Sequence, residues 1–384
     1  MTQRYQAIVV GVGGMGSAAC WRIARRGARV LGLEQADIPH SGGSSHGSTR
    51  LVRQAYHEHA DYVPLLKRAY ELWRELEQVR GQSLLTITGV LHLGQRGHAR
   101  IAAIEASARR HAIPVESLGG QEIRERYPQF RLDDCGCGIL EANGGFVSPD
   151  RVVAAQTLAA LDAGAEIHAR EAVRHWSVRP GVVEVVTTRD RYEAERVVFC
   201  AGPWTTKILG DVGAPLVVTR QTLAWTWPRR PRDFALGHFP CWTLTESDGT
   251  TYYGFPMIDD CPGLKTARHA PGQAVDPDSV SRDITPADEA ETRGALERYL
   301  PDGVGPLLAL RTCLYTNSAD EHFILDCHPA HPEIVLACGF SGHGFKFAPV
   351  IGEILADLAL DGATGLPAQF LGLGRFSPTK QNSD

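Results

Sequence analysis

Two glycine-rich stretches near opposite ends of the chain carry the clearest chemical signal: Gly11-Val12-Gly13-Gly14-Met15-Gly16 and Gly339-Phe340-Ser341-Gly342-His343-Gly344-Phe345-Lys346. In the first, the glycines permit a tight turn that brings a pyrophosphate against a helix N-terminus. An acid about 20 residues on, here Glu34, takes a ribose hydroxyl. A carboxylate there repels a 2′-phosphate, which disfavours NADP. Two such turns suit one long ligand with anionic or electron-rich groups along its length. FAD meets that demand better than NAD; an NAD-binding domain with an unrelated glycine loop is the alternative. Two lysines also stand out. Lys and Arg total 39, but lysine occupies only 67, 207, 265, 346 and 380, so a generic surface cation here is an arginine. Lys265 and Lys346 both sit in glycine-rich or apolar surroundings.

The elements that must position these residues follow from periodicity. The apolar run Ala7-Ile8-Val9-Val10 enters the first glycine turn, apolar pairs three or four apart continue to Arg26-Gly27, and Val30 to Leu33 reads as a second buried strand. Helices are expected over 61–80, around 97–113, over 152–163, 286–300 and 349–360, the last with Pro349 in its first turn and Gly362 after its end. Residues 182–187 and 191–195 read as a hairpin, and Val197 to Cys200 as a separate buried strand entering a glycine turn. The stretch 216–310 is strand-rich with a Pro-rich loop at 271–277, and Ile334 to Cys338 is a buried strand leading into the second glycine stretch.

Composition bounds the function. The 384 residues carry 39 basic and 44 acidic side chains, net −5, with 43% hydrophobic and 22% charged content, the balance of a soluble globular protein of about two domains. A mildly acidic chain lacks the basic face that nucleic-acid binding needs. No apolar stretch has membrane-span length, no signal peptide is read, and Lys380-Gln381-Asn382-Ser383-Asp384 is not a peroxisomal address. Nine scattered cysteines give no disulfide framework, so reduced thiols and a cytoplasmic location are expected.

These pieces, with Gly43-Ser44-Ser45-His46-Gly47-Ser48-Thr49-Arg50-Leu51-Val52-Arg53, Tyr56, Tyr62-Val63-Pro64-Leu65, Tyr252-Tyr253-Gly254-Phe255-Pro256, Gly263-Leu264-Lys265, Cys313 and Gly342-His343-Gly344-Phe345-Lys346-Phe347, resemble the monomeric sarcosine oxidase and N-methyltryptophan oxidase family over nearly the whole chain. The resemblance implies an α/β two-domain flavoprotein: a Rossmann-like FAD-binding domain (1–84, 146–214 and 311–384) and a mixed antiparallel-sheet substrate domain (85–145 and 215–310) capping the flavin. It implies oxidation of an N-alkyl amino acid to an imine, with dioxygen reduced to hydrogen peroxide, by a monomer. FAD is expected to contact Gly11, Gly13, Gly14, Met15, Gly16, Glu34, Gln35, Ser44, Thr49, Arg50, Val173, Ala201, Gly202, Trp204, Gly342, His343, Gly344 and Lys346, and to be joined through a thioether to Cys313. Lys265 is expected near flavin N5, where a fixed cation stabilises charge developing on dioxygen. Arg53 and Lys346 match the pair that grips the substrate carboxylate. Arg50, His46, His269, Tyr253 and Tyr315 complete the implied site.

Leu244 and the stretch Met257-Ile258-Asp259-Asp260-Cys261-Pro262 depart from the family's pattern and are expected to border the pocket, which puts sarcosine itself in question more than the reaction class. N-methyltryptophan, pipecolate and iminodiacetate are rival substrates. An NAD-linked dehydrogenase and a non-catalytic flavin-binding subunit are rivals of other classes. His57-Glu58-His59 and Cys135 with Cys137 hint at metal but lack a second ligand pair at the right spacing, so no metal is expected. Gly339-Phe340-Ser341-Gly342-His343 fails the nucleophile-elbow pattern at its last position.

Overall fold

The computed structural model describes residues 3–261, 263–269 and 272–376; Pro262, the start of the Pro-rich loop and the C-terminal Lys380–Asp384 stretch lie outside them. The strand Gln3–Val10 ends in four consecutive buried residues and pairs in parallel with Val30–Leu33 on one side and Arg191–Phe199 on the other. Parallel neighbours need crossovers that cover both sheet faces. The helix Gly14–Arg25 supplies one, packed against Pro149–Asp162 and Ala348–Asp361. Arg191–Phe199 also runs parallel to His331–Cys338. The carboxyl ends of three strands therefore meet at one edge, each followed by a glycine, Gly11, Gly202 or Gly339, at positive φ. Ligands of open parallel sheets bind outside such an edge.

The expected hairpin arm and the expected buried strand are one element. Arg191–Phe199 pairs antiparallel with Val182–Thr187 through its first half and parallel with His331–Cys338 through its second. The strand changes partner near Glu195 and Arg196, between the two stretches expected as separate elements.

A second, nine-stranded sheet holds Val90–Gln95, Leu216–Thr226, Cys241–Thr245, Thr251–Phe255, Leu264–His269 and Leu307–Ser318 among its strands. Leu307–Ser318 runs antiparallel along Leu216–Thr226 from Leu216↔Ser318 to Thr226↔Leu307. The boundary expected between 310 and 311 thus falls inside a strand of this sheet. Register puts one set of side chains on one face: Trp225 lies opposite Lys265, Phe255 opposite Lys265, Thr251 opposite His269, and Thr243 opposite Tyr253. A side-chain period of two then adds Cys313 and Tyr315 through Gln221 and Thr219. A three-stranded sheet of Arg50–Val52, Leu85–Ile87 and Gly145–Val147 completes the fold. No helix among the described residues is long and apolar enough to cross a membrane.

Candidate active site

At the carboxyl edge of the first sheet lies a long cavity of about 1290 Å³, its mouth included. Gly11, Gly13, Gly14, Met15, Glu34, Gln35, Ser44, Arg50, Val173, Ala201, Gly202, Trp204, Tyr315, Gly342 and Gly344 line it. Close approach explains the glycines. A Cβ at Gly16 would stand 1.8 Å from the Gly11 carbonyl oxygen, and one at Gly11 would stand 2.4 Å from that of Cys200. At Gly14 it would meet the Phe345 ring at 2.7 Å, so the two glycine stretches touch. The Glu34 carboxylate is fixed by the Val12 amide at 2.9 Å and the Ala36 amide at 3.1 Å. Backbone amides at a helix N-terminus with a buried acid beside them are the donor and acceptor set a flavin dinucleotide requires.

A smaller chamber of about 610 Å³ continues from it, and the two share Arg50, Tyr315, Gly342 and Phe345. Arg53, Glu58, Arg100, Tyr253, His269, His343 and Lys346 line the chamber. Arg53 donates to Glu58 at 2.7 Å and to the Ala55 carbonyl at 3.0 Å, with its guanidinium 4.3 Å from the Tyr56 ring centroid. The buried carboxylate of Glu141 accepts from the Gln54 and Ala55 amides at 2.7 and 2.9 Å and so pins the turn that aims Arg53. Burial works to raise the Glu58 pKa, but Arg53 and His57 hold it well below the usual carboxylate value. Lys346 donates to the His343 carbonyl at 2.6 Å and lies 3.4 Å from the Tyr56 hydroxyl. Burial, then Arg53, lowers its pKa to about 7.

The histidines are neutral. His343 Nε2 lies 2.9 Å from the Glu321 carbonyl, which only accepts, so Nε2 carries the hydrogen and Nδ1 accepts the Tyr56 hydroxyl at 2.5 Å. Burial lowers the His343 pKa to about 3. Burial and then Arg100 lower that of His269 to about 4.

Gly16, His46, Thr49, Lys265 and Cys313 line neither cavity and stand behind their walls. Lys265, 2% exposed, donates to the Gly47 carbonyl at 2.6 Å, the Thr49 carbonyl at 2.9 Å and Thr49 Oγ1 at 3.1 Å, so its three hydrogens each have an acceptor. Burial, then Arg50, pushes its pKa well below the usual lysine value. Both ring nitrogens of buried His46 lack a hydrogen-bond partner among the described residues. Burial, followed by Arg50 and Lys265, lowers its pKa to about 3. Cys313 Sγ lies 3.6 Å from Arg50 Nη2, and Arg50 itself donates to the Ser44 and Thr49 carbonyls.

Several features were not anticipated. Glu58, weighed as part of a metal motif, is the partner of Arg53, and His57 Nδ1 lies 3.3 Å from the same guanidinium. Leu244 does not border the chamber: strand alternation turns Thr243 toward it and Leu244 into an apolar cluster with Trp242 and Leu264. Residues 257–261 are likewise absent from its lining. Arg100 and Glu141 carried no signal in the sequence.

Comparison with known proteins agrees with this geometry. Residues 6–358 match the family model described as FAD dependent oxidoreductase. The chain is similar to a monomeric sarcosine oxidase of Streptomyces avermitilis, 39% identical over 99% of this chain and 98% of that protein. It is also similar to an N-methyl-L-tryptophan oxidase of Yersinia pestis, 34% identical over 97% and 99%. Among solved structures, NikD, an unusual amino acid oxidase essential for nikkomycin biosynthesis, superposes with a TM-score of 0.84 at 27% identity over 97% of this chain and 98% of that one.

Proposed function

The chain belongs to the family of FAD-dependent oxidoreductases that includes the monomeric sarcosine and N-methyl-L-tryptophan oxidases, and on that premise we propose that it oxidises the C–N bond of a small N-substituted amino acid, with dioxygen as acceptor. The observation that carries this reading is the junction of a cavity of about 1290 Å³, lined by both glycine turns, with a chamber whose Arg53 and Lys346 suit a carboxylate. When bound, FAD accepts two electrons from an amine and delivers them to dioxygen. The residues holding it would be the 11–16 turn, Glu34, Ala201, Gly202 and the 342–344 turn, with Cys313 as the covalent anchor.

The chain's own groups do the rest. Arg53 and Lys346 hold the carboxylate and so orient the amine. Four cationic side chains line the chamber against one carboxylate, Glu58, and that field disfavours an ammonium, so the substrate binds as the neutral amine with its proton released to solvent. His269 and His343, neutral by burial, add no charge. The substrate loses one hydrogen from carbon and one from nitrogen, two electrons and two protons in all, and water cleaves the resulting imine to an amine and a carbonyl compound. Lys265, behind the wall, supplies fixed positive charge to reduced oxygen as hydrogen peroxide forms. One chain holds every group named, so a monomer suffices.

The test is anaerobic bleaching of the purified yellow protein by sarcosine and other N-substituted amino acids, followed by air. Bleaching, recovery of colour and one equivalent of peroxide per cycle are expected; a flavin that no secondary amine reduces overturns the reading. Denaturation in acid should leave the colour on the protein, and Cys313→Ser should release it.

A further inference from the structure

The chamber carries more positive charge than one substrate carboxylate uses. Arg50 is engaged with the Ser44 and Thr49 carbonyls. Arg53 is neutralised by Glu58 at 2.7 Å, and with Lys346 it forms the carboxylate grip described above. Arg100 is left over. Its backbone is fixed in the first turn of the helix Ala99–His111, where its amide donates to Nδ1 of the capping His98 at 3.1 Å. Arg100 lines the chamber, and no hydrogen bond or ion pair of its guanidinium occurs among the described residues.

Arg100 is half-buried with no ion pair of its own: burial lowers its pKa, the attraction of Glu58, which is already paired with Arg53, opposes that shift, and Arg53 adds to it. Such a group gains a physical reason when a ligand brings the missing anion. The one carboxylate in the lining, Glu58, is already paired with Arg53, and the hydroxyls of Thr243 and Thr251 are engaged with His92 and with Thr245 and Gly249. A substrate with one carboxylate, held by Arg53 and Lys346, leaves Arg100 unpaired.

We infer that Arg100 binds a second carboxylate, so that the preferred substrate is a dicarboxylic secondary amine, an N-substituted amino acid with an acid on its side chain or on its N-substituent. This inference rests on the amine-oxidising reading of the same chamber.

The test compares anaerobic flavin reduction and kcat/KM of the holoenzyme for iminodiacetate and N-methyl-L-aspartate against sarcosine and N-methyl-L-alanine. A gain of about 10- to 100-fold for the dicarboxylic member of each pair is expected, the range for a charge-assisted contact. Arg100→Gln should shrink that ratio at least tenfold, with Arg100→Lys recovering part of it. Equal or better use of the monocarboxylic partners overturns the inference, as does an Arg100→Gln variant that slows both members equally. Should no secondary amine reduce the flavin, the amine-oxidase reading fails, and the flavin's spectral response to malonate and acetate tests Arg100 alone. Malonate binding tighter by tenfold or more supports the assignment, and equal binding overturns it.

Discussion

The long cavity and the chamber that opens from it recognise their ligands by different means. The first is built around backbone, glycine turns at the ends of parallel strands where a single added Cβ would collide with a carbonyl at 1.8 or 2.4 Å, with the buried carboxylate of Glu34 beside them. The second is built from side chains on strands of another sheet and on segments far apart in sequence, and its character is set by charge. Backbone recognition is rigid and does not titrate. Side-chain recognition can be retuned by single substitutions and carries whatever pH dependence the protein has. On the proposed reading, the contrast gives binding of the cofactor to one region and choice of substrate to the other.

The sharpest way to break that contrast is Gly16→Val, whose Cβ would lie 1.8 Å from the Gly11 carbonyl oxygen. The purified variant should be colourless, its visible absorbance lost entirely; normal flavin content would show that the turn is not the cofactor's seat. Next in size is Lys265→Met. Removing a buried cation held by the Gly47 and Thr49 carbonyls should slow aerobic reoxidation by about 10²- to 10³-fold, the scale for loss of one preorganised electrostatic group. Stopped-flow mixing with oxygen reads this directly, and anaerobic reduction should change far less. Arg53→Gln follows, with kcat/KM lower by about 10²-fold, because it removes a charged contact to the carboxylate and leaves Glu58 buried without its partner. The loss should appear mainly in KM and in weaker binding of acetate.

The same contrast governs how much could be read before the structure was in hand. The 11–16 turn was legible because strand, turn, helix and acid are contiguous and each imposes a local pattern. Lys265 and Lys346 stood out only because lysine is scarce in this chain. Arg100 was hidden for the opposite reason, as one arginine among many on a helix whose periodicity says nothing of its partners. Glu141 reaches the turn after Arg53 from 86 and 87 positions away, and only the fold brings them together. The error at Leu244 was one of register: in a strand the neighbouring residue faces the opposite side, and Thr243 holds the position. Merging the hairpin arm with the buried strand required knowing that Arg191–Phe199 changes partner halfway along.

The smallest expected effect is also the most specific to the chamber. Lys346, lowered to about 7 by burial and by Arg53, is largely protonated below neutrality and loses its charge as pH rises through 7. A bound carboxylate supplies the opposite charge and moves the lysine back toward its ordinary value, so the complex keeps the proton over a window in which the free protein gives it up. Binding of acetate, which has no amine to titrate, should therefore be flat below about pH 6 and weaken above 7, by up to about tenfold per unit until the pKa of the complex is reached. The other titratable groups facing the site do not confuse the reading. His269 and His343, lowered to about 4 and about 3, are neutral throughout, Glu58 is held ionised well below this range, and arginine does not deprotonate. Lys346→Met should flatten the profile and set it at the weaker limit, as followed by the flavin's spectral response to acetate between pH 6 and 9. A profile unchanged by that substitution would assign the titration to another group and remove Lys346 from the carboxylate grip.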